Sequence, residues 1–235
     1  MNIVFLVLLA VYVVYALTMN RHDESGHSRI TKLAGVAMHA PLFLVSCYCA
    51  WRADVFSRQL VSPLYIAVGI VGGHIVFTLS LLMTHRSFRT AFDHFRDVSA
   101  LWNYIADHPD ILTRFIGVAA GEEIIYRAAA QPIAIDLAGN AYAGIVLVAA
   151  AFSVVHRHFF RNPKEQSAEF AAFAIVLGVL YYWTGSLILV LAIHAVRNIE
   201  IAYLEYMIEQ EEHEENTAAG GPETIPDLQG GPEHV

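Results

Sequence analysis

The chain has 235 residues, of which 56% are hydrophobic and only 15% charged, with a formal net charge of −8 and a mean hydropathy of +0.48. So little polar side chain cannot clothe a water-exposed globule, which excludes an ordinary soluble fold and points to a membrane protein. The only two cysteines, Cys47 and Cys49, share one apolar run without CxxC spacing, which argues against a disulfide framework or a thiolate metal site.

A helix needs about 20 predominantly apolar residues to cross roughly 30 Å of hydrocarbon. Seven runs suit that role: 2–18, 33–51, 60–84, 111–133, 138–156, 169–183 and 187–206. The expected fold is therefore all-α, a polytopic transmembrane bundle of about seven spans. The first run lacks a basic n-region and leads directly into a charged loop, so it reads as a retained anchor and not as a cleaved signal. Between the third and fourth runs, 85–110 interleaves Phe88, Phe92, Phe95, Leu101 and Trp102 with Arg and His, a pattern suited to a helix lying along the membrane interface.

Basic residues orient the bundle, because short cytoplasmic loops are enriched in Lys and Arg. Arg21, Arg29 and Lys32 follow the first run, Arg86, Arg89 and Arg96 the third, and Arg157, Arg161 and Lys164 the fifth. Only Arg52 and Arg58 lie on the opposite side. The expected arrangement has the N-terminus outside and the C-terminus cytoplasmic. From Glu205 onward there are nine acidic residues and no Lys or Arg, so the end of the chain carries the whole charge imbalance. This divides the chain into a transmembrane domain, 1–208, and an acidic cytoplasmic tail, 209–235, too polar and too rich in Gly and Pro to fold. No internal repeat and no glycine-rich phosphate loop occurs.

Ionisable residues near a bilayer centre cost at least ~2.5–3.5 kcal/mol on insertion scales, so those present usually face a polar interior and have a function. The fourth run holds Glu122, Glu123 and Arg127. On a helix Glu123 and Arg127 share a face and can pair, whereas Glu122 is turned about 100° away and is left free to act on something else. A structural charge network locking neighbouring helices would account for these three residues equally well. The fifth run ends in Phe152-Ser-Val-Val-His156, and the seventh contains His194-Ala-Val-Arg-Asn198. The four-residue spacings let His156, His194 and Asn198 point into one cavity with Glu122. His39 and His74 have no partner motif and read as helix-packing donors.

These three patterns resemble the signature of the CPBP family of intramembrane proteases, which includes the type II CAAX prenyl proteases and the bacteriocin-processing and immunity-associated proteins. That signature is EExxxR, FxxxH and HxxxN on successive membrane helices. Here it is carried in order by Glu122-Glu123-Ile-Ile-Tyr-Arg127, Phe152 to His156 and His194 to Asn198, with Thr184-Gly185-Ser186-Leu187 leading into the last. The likeness covers roughly 111–198; residues 1–110 match only as generic apolar helices.

The resemblance implies a glutamate-type, metal-independent intramembrane endopeptidase of a prokaryotic cell membrane. It would have no cofactor, and it would act on a membrane-associated protein or peptide and not on nucleic acid. Glu122 and His156 would activate a water, and His194 and Asn198 would donate to the developing oxyanion. Glu123, Arg127 and Phe152 would support the site. The substrate would be a prenylated C-terminus, a leader peptide or a C-terminal sorting tag. Three other functions would also use such residues: a zinc protease with Glu122, His156 and His194 as ligands, although no HExxH is present; a proton relay or transporter; and a non-catalytic scaffold or immunity protein.

Overall fold

The computed structural model describes residues 2–22, 29–58, 62–85 and 87–218. Among them there are helices and turns and no strand. The helices are α1 (Asn2–His22), α2 (Arg29–Arg52), α3 (Val55–Arg58), α4 (Pro63–His85), α5 (Phe88–Arg96), α6 (Val98–Asp107) and α7 (Asp110–Glu123). A π-helical segment, Ile124–Ala130, joins α7 to α8 (Gln131–Ala138). Then follow α9 (Ala141–Val155), α10 (His158–Arg161), α11 (Lys164–Thr184) and α12 (Leu187–Ala218).

The protein is an all-α membrane bundle, and each of the seven predicted runs contains a helix. Four of these helices are also long and apolar enough to cross a membrane, over Asn2–Met19, Pro63–Thr84, Lys164–Thr184 and Leu187–Glu215. Large apolar side chains such as Ile3, Leu44, Val71, Leu79 and Trp183 lie exposed on the outside, where lipid and not water suits them. The buried interior instead holds polar and charged groups, among them Glu123, Arg127, Gln131, Glu169, His194, Arg197, Asn198 and Glu200.

Local chemistry sets the helix ends. Gly139 adopts a left-handed conformation with φ of 61° and stops α8, and the Asn140 side chain accepts from the Ala143 N–H at 3.0 Å to start α9. Gly185, at φ 64°, closes α11 with its N–H on the Tyr181 carbonyl. Ser186 Oγ then accepts from the Leu189 N–H at 3.2 Å. The Thr-Gly-Ser-Leu motif is thus the tight turn between α11 and α12.

Two expectations change. The segment between the third and fourth runs is two helices and not one, because Asp97 leaves the helical conformation and caps α6 through the Ala100 N–H. The last helix continues to Ala218, so the first ten residues assigned to the acidic tail are helical. The rest of that tail, 219–235, lies outside the described residues, as do Leu60 and Arg86.

Residue pairings give the direction of each helix. Gln131 donates to the Gly178 carbonyl and Arg127 to that of Ala174, so the π segment and α8 run parallel to α11. Gly178 meets Ile145 while Phe170 stacks on Phe152, which makes α9 and α11 antiparallel. Phe115 shares a core with Ile199 while Glu123 bonds His194, which makes α7 and α12 antiparallel. The fourth to seventh predicted runs therefore alternate in direction, as consecutive membrane crossings must.

Helix α12 lies at the centre, against α4 and α7. Its approach to α4 rests on two glycines one turn apart. A Cβ at Gly69 would stand 2.5 Å from that of Ala192, and one at Gly73 would stand 2.7 Å from that of Val196. With no hydrophobic drive between helices in lipid, such small-residue contacts let backbones approach and pack.

Candidate active site

The polar interior centres on Glu122, at the end of α7. Its Oε1 lies 3.4 Å from Nε2 of His156, and its Oε2 lies 3.5 Å from Nε2 of His194. Glu122 keeps 17% of its side-chain surface accessible, against 14% for His156 and 3% for His194. The carboxylate that sequence spacing left without its arginine is thus held between two imidazoles from α9 and α12.

His156 is placed by the way α9 ends. It takes an extended conformation just after Val155, as the C-cap, and its ring folds back so that Nδ1 lies 2.7 Å from the Phe152 carbonyl. A carbonyl only accepts, so Nδ1 carries a proton, and the ring turns Nε2 toward Glu122. The FxxxH spacing brings that carbonyl within reach, and the Phe152 ring packs on the His156 ring with centroids 4.6 Å apart. Fully buried, Phe152 also meets Tyr126 and His194 edge-to-face and has the Arg127 guanidinium 5.2 Å from its centroid.

Glu123 faces the other way into the core. Its Oε1 lies 2.8 Å from Nδ1 of His194, and its Oε2 lies 3.4 Å from Nε of Arg127, an ion pair without hydrogen-bond alignment. Arg127 donates from Nη2 to the Ala174 carbonyl at 3.2 Å. It sits in the π segment, and π turns occur frequently at functional sites. Pro132 follows, and a proline inside a helix excludes the bond to the carbonyl four residues back, here Ala128 within that wide turn.

Six of the seven residues singled out by sequence form one connected cluster: Glu122, Glu123, Arg127, Phe152, His156 and His194. Asn198 lies one turn beyond His194 on the same face of α12. It is buried, and its Nδ2 has no hydrogen-bond partner among the described residues. Leaving a buried donor unmatched costs about 1–3 kcal/mol.

Several neighbours carried no signal in the motifs. Arg197 donates to Glu169 at 2.8 Å, lies 4.4 Å over the Phe173 ring, and shares Glu169 with Ser80. The Glu122 charge also reaches Tyr12 of α1 and His39 of α2, whose rings meet edge-to-face. Just outside the fifth run, burial and the nearby His156 and Arg197 push His158 down to about 4, which keeps it neutral.

The Glu122 carboxylate, partly accessible, thus sits between two imidazoles inside a helical membrane bundle. Residues 105–199, which contain all three motifs, match the family described as type II CAAX prenyl endopeptidase Rce1-like. The resemblance read from the motifs holds for that segment, and the match supports a CAAX-type intramembrane protease in general, with a membrane-associated peptide or protein as substrate. No curated protein and no solved structure matches the chain.

Proposed function

We propose that the protein is a glutamate-type intramembrane endopeptidase in which Glu122 and His156 activate a water. The observation that carries this reading is the approach of the Glu122 carboxylate to His156 Nε2 at 3.4 Å, with the far side of that ring anchored on the Phe152 carbonyl. Water attacks the scissile carbonyl carbon and gives its proton to this pair. The same proton then passes to the leaving amide nitrogen as the C–N bond breaks, so neither metal nor cofactor is required.

His194 and Asn198 stabilise the oxyanion. Asn198 supplies the Nδ2 donor that has no other partner among the described residues. His194, held at Nδ1 by Glu123, turns its Nε2 toward the Glu122 side of the site, where it is placed to donate. Glu123, Arg127 and Phe152 hold the two imidazoles in place. The substrate is a membrane-held protein or peptide, a prenylated C-terminus, a leader peptide or a C-terminal sorting tag, and the C-terminus of the enzyme lies in the cytoplasm.

The test is peptide cleavage by the purified chain in liposomes, with a prenylated C-terminal peptide, its unprenylated twin and a leader peptide as substrates. Glu122→Gln should lower kcat by ~10²–10⁴, the range for loss of a general base, and wild-type activity should survive a chelator. A Glu122→Gln variant with undiminished turnover would overturn the reading. Inactivation by chelator with rescue by zinc, together with loss of the bound zinc in Glu122→Gln, would favour a zinc protease.

A further inference from the structure

Three side chains with no part in the proposed hydrolysis meet where α4, α5 and α12 converge. His74 of α4 places Nδ1 2.8 Å from Oε1 of Glu200 on α12, and His94 of α5 places Nε2 3.2 Å from Oε2. Glu200 is fully buried, with His74 and His94 16% and 12% exposed. One ligand atom from each residue lies within 4.8 Å of the others. Among the described residues, the ion-pair partners of Glu200 are these two imidazoles, with no Lys or Arg.

The other nitrogen of His74 decides what this cluster can hold. Nε2 lies 3.1 Å from the Phe95 carbonyl oxygen, so it carries the proton, and in a neutral ring Nδ1 is left with a lone pair. That lone pair faces a buried carboxylate oxygen, and two acceptors so close need a proton or a metal ion between them. A ring N–H anchored on a backbone carbonyl, with the second nitrogen free, is how metal-binding histidines are oriented. Ligands at ~2.0–2.1 Å around a tetrahedral ion stand about 3.3 Å apart; here the two imidazoles lie 2.8 and 3.2 Å from the two different oxygens of one carboxylate, with one ligand atom from each residue inside 4.8 Å.

We propose that His74, His94 and Glu200 bind a divalent transition-metal ion of the zinc type. Two imidazoles and a carboxylate suit zinc and leave a fourth position for water. The ion clamps α5, a nine-residue helix too short to be stable alone, onto α4 and α12. The site is separate from the Glu122 cluster: Asn198 and Glu200 are two residues apart, hence about 200° around α12.

The test uses the full chain in detergent, stripped with a chelator and titrated with Zn²⁺ alone and, separately, Co²⁺ alone. One equivalent should bind, with a four- or five-coordinate Co²⁺ absorption band and a raised unfolding temperature. His94→Ala should lower the affinity at least tenfold, and so should His74→Gln, which stands in if His94→Ala does not fold. Glu122→Gln should bind metal as the wild type does. Failure of the wild type to take up a stoichiometric ion overturns the proposal and leaves an imidazolium–carboxylate pair in its place. Metal lost in Glu122→Gln but kept in His94→Ala overturns it too, and assigns the ion to the hydrolytic cluster.

Discussion

Glu123 joins three elements through one carboxylate, with an ion pair to Arg127 in the π segment and a 2.8 Å contact to His194 on α12. Both members of the ion pair are at most 1% exposed. Removing one partner of such a pair strands the other charge, at a cost of about 3–5 kcal/mol. Glu123→Gln should therefore lower the unfolding free energy by that order in a detergent titration, while Glu122→Gln, at a more accessible position, should change it little. The Glu123–Arg127 pair was legible in the sequence because a four-residue spacing is a one-helix rule. The contact from Glu123 to His194, 71 residues away, was not, and neither was the meeting of His74 with Glu200. Spacing along one helix says nothing about which neighbour packs against it.

At the level of elements, the helix stops were written in single residues: Gly139 and Gly185 in left-handed conformations, and Asn140 and Asp97 as caps. Periodicity alone ran past Asp97 and so merged α5 with α6. The π segment had no comparable marker beyond Pro132, since its seven residues read as an ordinary apolar helix. Packing of α4 on α12 was equally hidden, although Gly69 and Gly73 supply it. Gly73→Ala would bring a Cβ to 2.7 Å from Val196 Cβ and 2.9 Å from the Ile193 carbonyl. Overpacking of this kind costs about 1–3 kcal/mol. The variant should unfold at correspondingly lower denaturant, whereas Gly117→Ala, which meets nothing within 4 Å, should not.

Across the whole molecule, the apolar runs and the three motifs made the membrane bundle and the content of its site readable, because burying charge in lipid is costly enough to mark those residues. The order in which the helices pack was not readable, since every helix presents similar apolar surface to lipid and to its neighbours. The alternation of direction from α7 to α12, taken with the Lys and Arg distribution, gives the orientation proposed above. A reporter active only in the cytoplasm should work when fused after Val235 and fail when inserted between α3 and α4; the opposite pattern would reverse the assignment. The π segment carries a last consequence. A π turn holds about one residue more than the α turn it replaces, and each residue turns an α-helix by about 100°. The extra residue thus sets the phase between Glu122 and Glu123 on one side and Gln131, fixed to the Gly178 carbonyl, on the other. Shortening this stretch by one residue would leave every motif residue in the chain, yet turn both carboxylates away from the imidazoles that flank them.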